Sequence, residues 1–248
     1  RSRYEKVFDG LAKERLARLK RMLSTFTEWR HQQLSKARAV RRAAQTADEP
    51  DYKQPAFLAG LVLDATGGKQ PFDAELERVA GVARERGHDV KVLLAPIKRV
   101  ERAVTKLRRP GCDIGRYDQV TDLLGATLAC PTLDGMLCCI ELLIESESAS
   151  LFFADNRLDP SLDVSIKGGY RDVLTLVDVH GHIAELQFTL QDLVVIKEEG
   201  GGHKVYKDGR VVQAFDRRTY QFLGGPSLDV AKNIQLGMLK FVLSLIHI

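Results

Sequence analysis

Asp122 stands where a polar stretch gives way to the apolar run L-L-G-A-T-L-A-C, and Glu185 lies inside the alternating run H-I-A-E-L-Q-F-T-L. Strict alternation of apolar and polar residues predicts a strand with one buried face. Ile183, Glu185, Gln187 and Thr189 then share one face, and Ala184, Leu186 and Phe188 the other. A carboxylate and an amide therefore project together from a sheet. Two acids at the ends of neighbouring strands can hold Mg²⁺, which takes carboxylate oxygens and keeps substrate phosphates as further ligands. Upstream, Lys98, Arg102 and Lys106 recur every four residues and share one face of a predicted helix. Like charges so placed repel. They form either a solvated face or a cradle for polyphosphate. Tyr170, in the run G-G-Y-R, offers a ring for stacking a base, and His203 and Lys207 lie one helical turn apart. Each has an ordinary alternative: a strand-end cap, a solvated edge carboxylate, a packing tyrosine, a surface histidine. In combination they are the parts of a nucleotidyl or pyrophosphoryl transfer site, where positioning and charge neutralisation do most of the work.

The elements that must position these groups follow from periodicity. Residues 3–43 lack proline, and Phe8, Ala12, Leu16, Leu19, Leu23 and Phe26 form a helical stripe. A linker around Thr46–Pro50 leads to a short apolar segment at 51–64 and a loop at 66–71. The A-T-G-G-K run lacks phosphate-loop spacing. A helix is predicted over 72–87, with Gly87 as its stop, then a strand at 89–95 and a basic helix at 97–107. Residues 117–131 turn from polar into a buried strand, 132–146 form an apolar helix begun near Thr132 or Asp134, and 151–154 a strand. A hairpin turning at His180-Gly181 ends in a helix beginning at Asp192, and helical material closes the chain. This order predicts an α+β fold: a mixed sheet of about five strands flanked by helices, with an N-terminal helical arm. The expected divisions are a basic helical extension at 1–45, a linker at 46–71, the sheet domain at 72–210 and a helical segment at 211–248.

The chain has 248 residues, 44% of them apolar, and a formal charge of +4. Its charge is uneven: residues 1–43 hold 13 Lys/Arg and 4 Asp/Glu, so the remainder is net negative. The arm's charge is compatible with nucleic acid or an anionic membrane. Its aromatics are not interleaved with the cations and no recognition motif is present, which favours a helix packing on its own protein. No run reaches the roughly 18 apolar residues of a membrane span. The first residue is Arg1, as in a fragment of a longer chain. Cys112, Cys130, Cys138 and Cys139 show no zinc spacing and read as buried free thiols of a reducing compartment, the cytoplasm.

The order K-x(7)-K, T-D-L-L-G, G-Y-R, E-L-Q and H-x-x-Y-K resembles the RelA/SpoT-type (p)ppGpp synthetase domain, over residues 72–207. The resemblance implies a nucleotidyltransferase-like mixed sheet that binds ATP and a purine nucleotide. It implies Mg²⁺ on Asp122 and Glu185, which are also the catalytic pair, and ATP phosphates on Lys98, Arg102 and Lys106. It places Tyr170, Arg171, Gln187, His203, Tyr206 and Lys207 on the acceptor nucleotide. The chain departs from the family at Pro96, Thr127 and Thr189, where arginines are usual, and at Asp172-Val173-Leu174, where Ser-Leu-His is usual. Two expectations follow: a pyrophosphokinase, or a nucleotide-binding regulatory module of the same fold that has lost turnover. A scaffold bearing a binding arm is a third.

Overall fold

The computed structural model describes residues 6–7, 11, 13–26, 55–100, 102, 117, 120–162 and 171–199. The alternating run at 182–190 is a strand, and its even-numbered residues decide the layering. Ala184, Leu186, Phe188 and Leu190 are buried in the main core with Ala126, Leu128 and Cys130 from the apolar run after Asp122. Each strand thus turns one set of side chains toward covering helices, while Glu185 and Gln187 look out from the other face.

In chain order the elements are α1 (Lys13–Leu23), continued by a 3₁₀ turn at Ser24–Phe26, α2 (Pro55–Glu85), β1 (Lys91–Leu94), β2 (Gly125–Cys130), α3 (Leu133–Ile144), β3 (Ala149–Asn156), β4 (Val173–Val179), β5 (His182–Leu190) and α4 (Gln191–Glu199). The strands form one five-stranded mixed sheet in the order β1-β2-β5-β4-β3. β2 and β5 run parallel, and the other neighbours are antiparallel. A parallel pair cannot be joined by a tight turn. Here α3 carries the chain across the sheet, β3 and β4 return it, and β5 is laid against β2. This is the α+β architecture that the sequence predicts.

Local chemistry explains most boundaries. Thr132 caps α3 by accepting a 3.2 Å bond from the Gly135 amide on its hydroxyl oxygen. α2 ends at Gly87, which has φ of 88°, with the Gly87 amide on the Arg84 carbonyl and the His88 amide on that of Ala83. That is the glycine stop expected from sequence. The β4–β5 hairpin turns on His180 and Gly181 at φ of 47° and 91°, the two left-handed positions of a tight two-residue turn. Cys130, Cys138 and Cys139 are buried free thiols. The neighbouring Cys139 thiol, with burial, pushes the Cys130 thiol up.

Two expectations need correction. The loop at 66–71 does not exist: α2 runs unbroken for 31 residues through Gly67, Gly68 and Pro71. The stripe Phe57, Leu61, Ala65, Gly68, Phe72, Leu76, Val79 and Ala83 keeps steps of three and four throughout. Each buried large side chain contributes about 1.5–3 kcal/mol, which together outweighs roughly 1 kcal/mol per helical glycine and about 3 for proline. Gly68 also lets α2 lie close to β5: a Cβ there would stand 3.2 Å from the Cβ of His182. Second, the break drawn at 71/72 falls inside this helix. The described part of the N-terminal stretch, α1, packs on its own protein, the reading that the sequence favours. Leu16, Leu19 and Leu23 are buried in the main core. Arg15 pairs with Asp134 at 2.6 Å, Arg18 with Glu141, and Lys20 with Asp159 at 2.8 Å. No described helix is long and apolar enough to cross a membrane.

Two polar clusters tie the layers together. Burial pushes the Glu75 carboxyl up, but hydrogen bonds from Arg78, Ser146 and Ser148 outweigh it and hold the group below its ordinary value. Glu75 thereby joins α2 to the turn between α3 and β3. Asp159 is held down at about 2 by Lys20 first, and then by the Ser161 amide and hydroxyl.

Two tests follow. Gly67 has open space around it, so Gly67→Ala should raise stability by about 1 kcal/mol. In Gly68→Ala, crowding worth about 1–3 kcal/mol should cancel or reverse that gain. Equal stabilisation in thermal melts would show that α2 does not approach β5 closely. The Asp159 contribution, complete above about pH 4, should be lost as pH falls through about 2, because the folded state holds that group's pKa below its unfolded value. The urea midpoint of Asp159→Asn should accordingly fall less steeply than wild type between pH 4 and pH 2.

Candidate active site

The site is assembled by main-chain bonds around the turn that leads into β2. Leu123, Leu124 and Gly125 present three successive carbonyls. Lys98 donates its amide to Leu123 at 2.8 Å, Glu185 to Leu124 at 3.0 Å, and Ala95 to Gly125 at 3.2 Å. Asp122 immediately precedes this run. The backbones of Lys98, Asp122 and Glu185 are thus held together before any side chain acts. β2 continues the contact, with Gly125 opposite Glu185 and Thr127 opposite Gln187.

The side chains then meet. Lys98 extends its ammonium to Oδ2 of Asp122 in a close ion pair. Asp122 is 6% exposed, so its negative charge is largely removed from water and needs the cation. Gln187 donates from Nε2 to Oε1 of Glu185 at 3.1 Å. These neighbours lie two residues apart on one face of β5, as the alternation predicts, and the amide orients the carboxylate. Leu176 lies opposite Glu185 on β4. With Phe153 and Ile183 it forms a small apolar cluster beside the acid.

The structure redraws the basic stretch. Residues 95–99 are not helical, and Val100 and Arg102 are the described helical residues that follow. Pro96 biases Ala95 away from helix, and the bond from Lys98 to Leu123 draws that amide into the sheet margin. Lys98 therefore reaches Asp122 from an extended connection, not from a helix face shared with Arg102. Arg102 is exposed. Lys106, Tyr170, His203, Tyr206 and Lys207 lie outside the described residues.

Arg171, expected on the acceptor, does different work. Its guanidinium donates to the carbonyls of Arg157 at 3.3 Å, Asp159 at 2.9 Å and Leu162 at 3.2 Å, fastening the turn after β3. Beside it Asp172, fully buried, receives Arg157 in a two-pronged ion pair, one prong at 2.7 Å. The Arg157 amide also donates to the Asp172 carbonyl at 3.0 Å. Asp172 at a family departure thus has a structural reason: it clasps the ends of β3 and β4. Nothing local in the sequence marks Arg157 as its partner, since the two are 15 residues apart. Thr189, another departure, is 0% exposed. Its hydroxyl oxygen has no hydrogen-bond partner among the described residues, and the threonine itself supplies no charge there.

The donor set suits Mg²⁺. Asp122, just before β2, and Glu185, on β5, offer hard carboxylate oxygens. Among the described residues no three acidic, histidine or cysteine groups cluster as a metal cage. An ion bound through one or two carboxylates, with phosphates completing its shell, is how Mg²⁺ serves phosphoryl transfer.

Arg171→Met should lower stability by about 1–2 kcal/mol, because three carbonyls lose a charged donor. Equilibrium denaturation measures it. Unchanged stability with weakened nucleotide binding would instead return Arg171 to the acceptor role.

No family model matches the chain, and no curated protein is similar to it in sequence. Solved structures are similar in fold. Small alarmone synthetase 1 from Bacillus subtilis bound to its product pppGpp matches with a TM-score of 0.44 and 13% identity, over 66% of this chain and 94% of that one. A GTP pyrophosphokinase family protein from Streptococcus pneumoniae matches with a TM-score of 0.43 and 13% identity, over 73% and 96%. The Type VI effector Tas1 in complex with its immunity protein matches with a TM-score of 0.40 and 19% identity, over 64% and 77%.

Proposed function

We propose that the chain carries a nucleotide pyrophosphokinase-like site, which transfers pyrophosphate from ATP to the 3′-hydroxyl of a purine nucleotide. The observation that supports it most is the joining of Asp122, Glu185 and Lys98 through the carbonyls at 123–125. The motif order seen in the sequence agrees with it. In this reading the acceptor's 3′-oxygen forms a bond to the β-phosphorus of ATP, the bond from that phosphorus to the α,β-bridging oxygen breaks, and AMP leaves. Glu185, oriented by Gln187, takes the hydroxyl proton. Lys98 neutralises phosphate oxygens as charge shifts toward the leaving AMP. Asp122 and Glu185 would hold Mg²⁺, which when bound supplies further neutralisation of the pyrophosphoryl oxygens. In this reading Arg102 and Lys106 are further phosphate-binding cations, and Tyr170, His203, Tyr206 and Lys207 serve the acceptor side.

A second reading is a nucleotide-binding module without turnover. It is favoured by the fully buried Thr189 and by Arg171, which is engaged with carbonyls. Neither supplies the cation that positions phosphate, and one such arginine can be worth about 10³–10⁵ in rate.

The discriminating experiment incubates the protein with ATP and Mg²⁺ and with GDP, GTP or ADP in turn, then separates the nucleotides. AMP should appear only with an acceptor, and Glu185→Gln should reduce its rate by at least about 100-fold. Absence of AMP above background with every acceptor ends the enzymatic reading. Thermal stabilisation by nucleotide under those conditions would then establish the second.

A further inference from the structure

The ion pair between Lys98 and Asp122 bears on how the site is loaded. This step rests on the reading of Asp122 and Glu185 as a metal pair. Asp122 is 6% exposed and its Oδ2 is held by the Lys98 ammonium, whose own side chain is 33% exposed. Both charges are anchored from behind, because the Lys98 amide is tied to Leu123, the residue after Asp122. The backbone of Lys98 therefore stays beside Asp122 when the carboxylate changes partner, and an ammonium that swings away must give up its counterion.

A divalent ion arriving alone would have to displace this ammonium. Lys98 would be left beside a dication in a partly buried site with its counterion taken, an arrangement that repulsion and desolvation both oppose. A polyphosphate removes the conflict, because its oxygens accept the ammonium at the moment Asp122 is released. We infer that Lys98 is an internal counterion that keeps Asp122 closed to free divalent metal, so that metal and nucleotide triphosphate load together by exchange of partners. The carboxylate passes from ammonium to metal, and the ammonium passes from carboxylate to phosphate. Every charge stays paired before and after. The same residue thus closes the site to metal alone and recognises the triphosphate.

The test measures Mn²⁺ binding by electron paramagnetic resonance on the full chain, with and without inorganic tripolyphosphate. Wild type should bind Mn²⁺ alone at least tenfold more weakly than with tripolyphosphate present, after correction for the complex formed in solution. Lys98→Met should bind Mn²⁺ alone at least tenfold more tightly than wild type, and tripolyphosphate should then change its affinity by less than about threefold. Lys98→Arg, which keeps the charge, should behave like wild type. Lys91→Met, an equal charge change at an exposed residue of β1, should leave Mn²⁺ affinity within twofold. Equal binding of Mn²⁺ alone by wild type and Lys98→Met, with loss in Asp122→Asn, overturns the counterion role and leaves the metal pair standing. If no variant binds Mn²⁺ with or without tripolyphosphate, the metal-pair reading fails, and this inference with it. Circular dichroism of each variant secures that these outcomes come from folded protein.

Discussion

Three consecutive carbonyls, at Leu123, Leu124 and Gly125, receive amides from Lys98, Glu185 and Ala95, and the candidate site depends on them. Backbone groups withdrawn from water must find partners. Here that requirement does more than stabilise a sheet margin. It draws the segment after β1 and the start of β5 to opposite sides of one turn, and so fixes where a lysine, an aspartate and a glutamate project. The side-chain contacts, Lys98 with Asp122 and Gln187 with Glu185, refine a placement that the main chain has already made.

Around this point the sheet is asymmetric in purpose. One face is closed by α2 and α3 and buries the even-numbered residues of β2 and β5. The other carries the polar pair on β5 and a small apolar cluster from β3, β4 and β5. Because side chains alternate with a period of two, a slip of one residue in β5 would send Glu185 into the helical layer and Leu186 to the site. The core thus holds the chemistry in register. The Arg157–Asp172 pair does the same for the far strands. Breaking such a buried pair by removing one partner costs about 3–5 kcal/mol, so Asp172 serves the fold whether or not the site turns over.

Charge is distributed by the same economy. The positive stretch at the N-terminus contributes Arg15, Arg18 and Lys20 to ion pairs with the negative body. Exposed pairs of this kind are individually worth only about 0.2–1 kcal/mol, so the buried leucines between them hold α1 in place and the pairs orient it. Arg171 is likewise drawn inward, to carbonyls at the end of β3. Lys98 is the cation among these that is bound to a group of the candidate site itself.

The sequence by itself determined the strand faces, since a period of two leaves Glu185 and Gln187 together and Leu186 opposite. It also determined the Gly87 stop and the His180-Gly181 turn, and narrowed the cap of α3 to Thr132 or Asp134, because each is set by chemistry within a few residues. The mixed sheet with flanking helices was legible for the same reason. What only the tertiary structure decided are matters of non-local competition. Glycines and a proline at 66–71 signal a loop, yet burial of a stripe running from Phe57 to Ala83 keeps α2 whole. Four-residue spacing puts Lys98 on a helix, yet a distant carbonyl draws it out of one. The sequence favours an N-terminal helix packed on its own protein, but which acids take its arginines is non-local: Asp134 and Glu141 lie more than a hundred residues away. Local signals set what each segment prefers; which preference prevails depends on groups brought together only when the sheet closes.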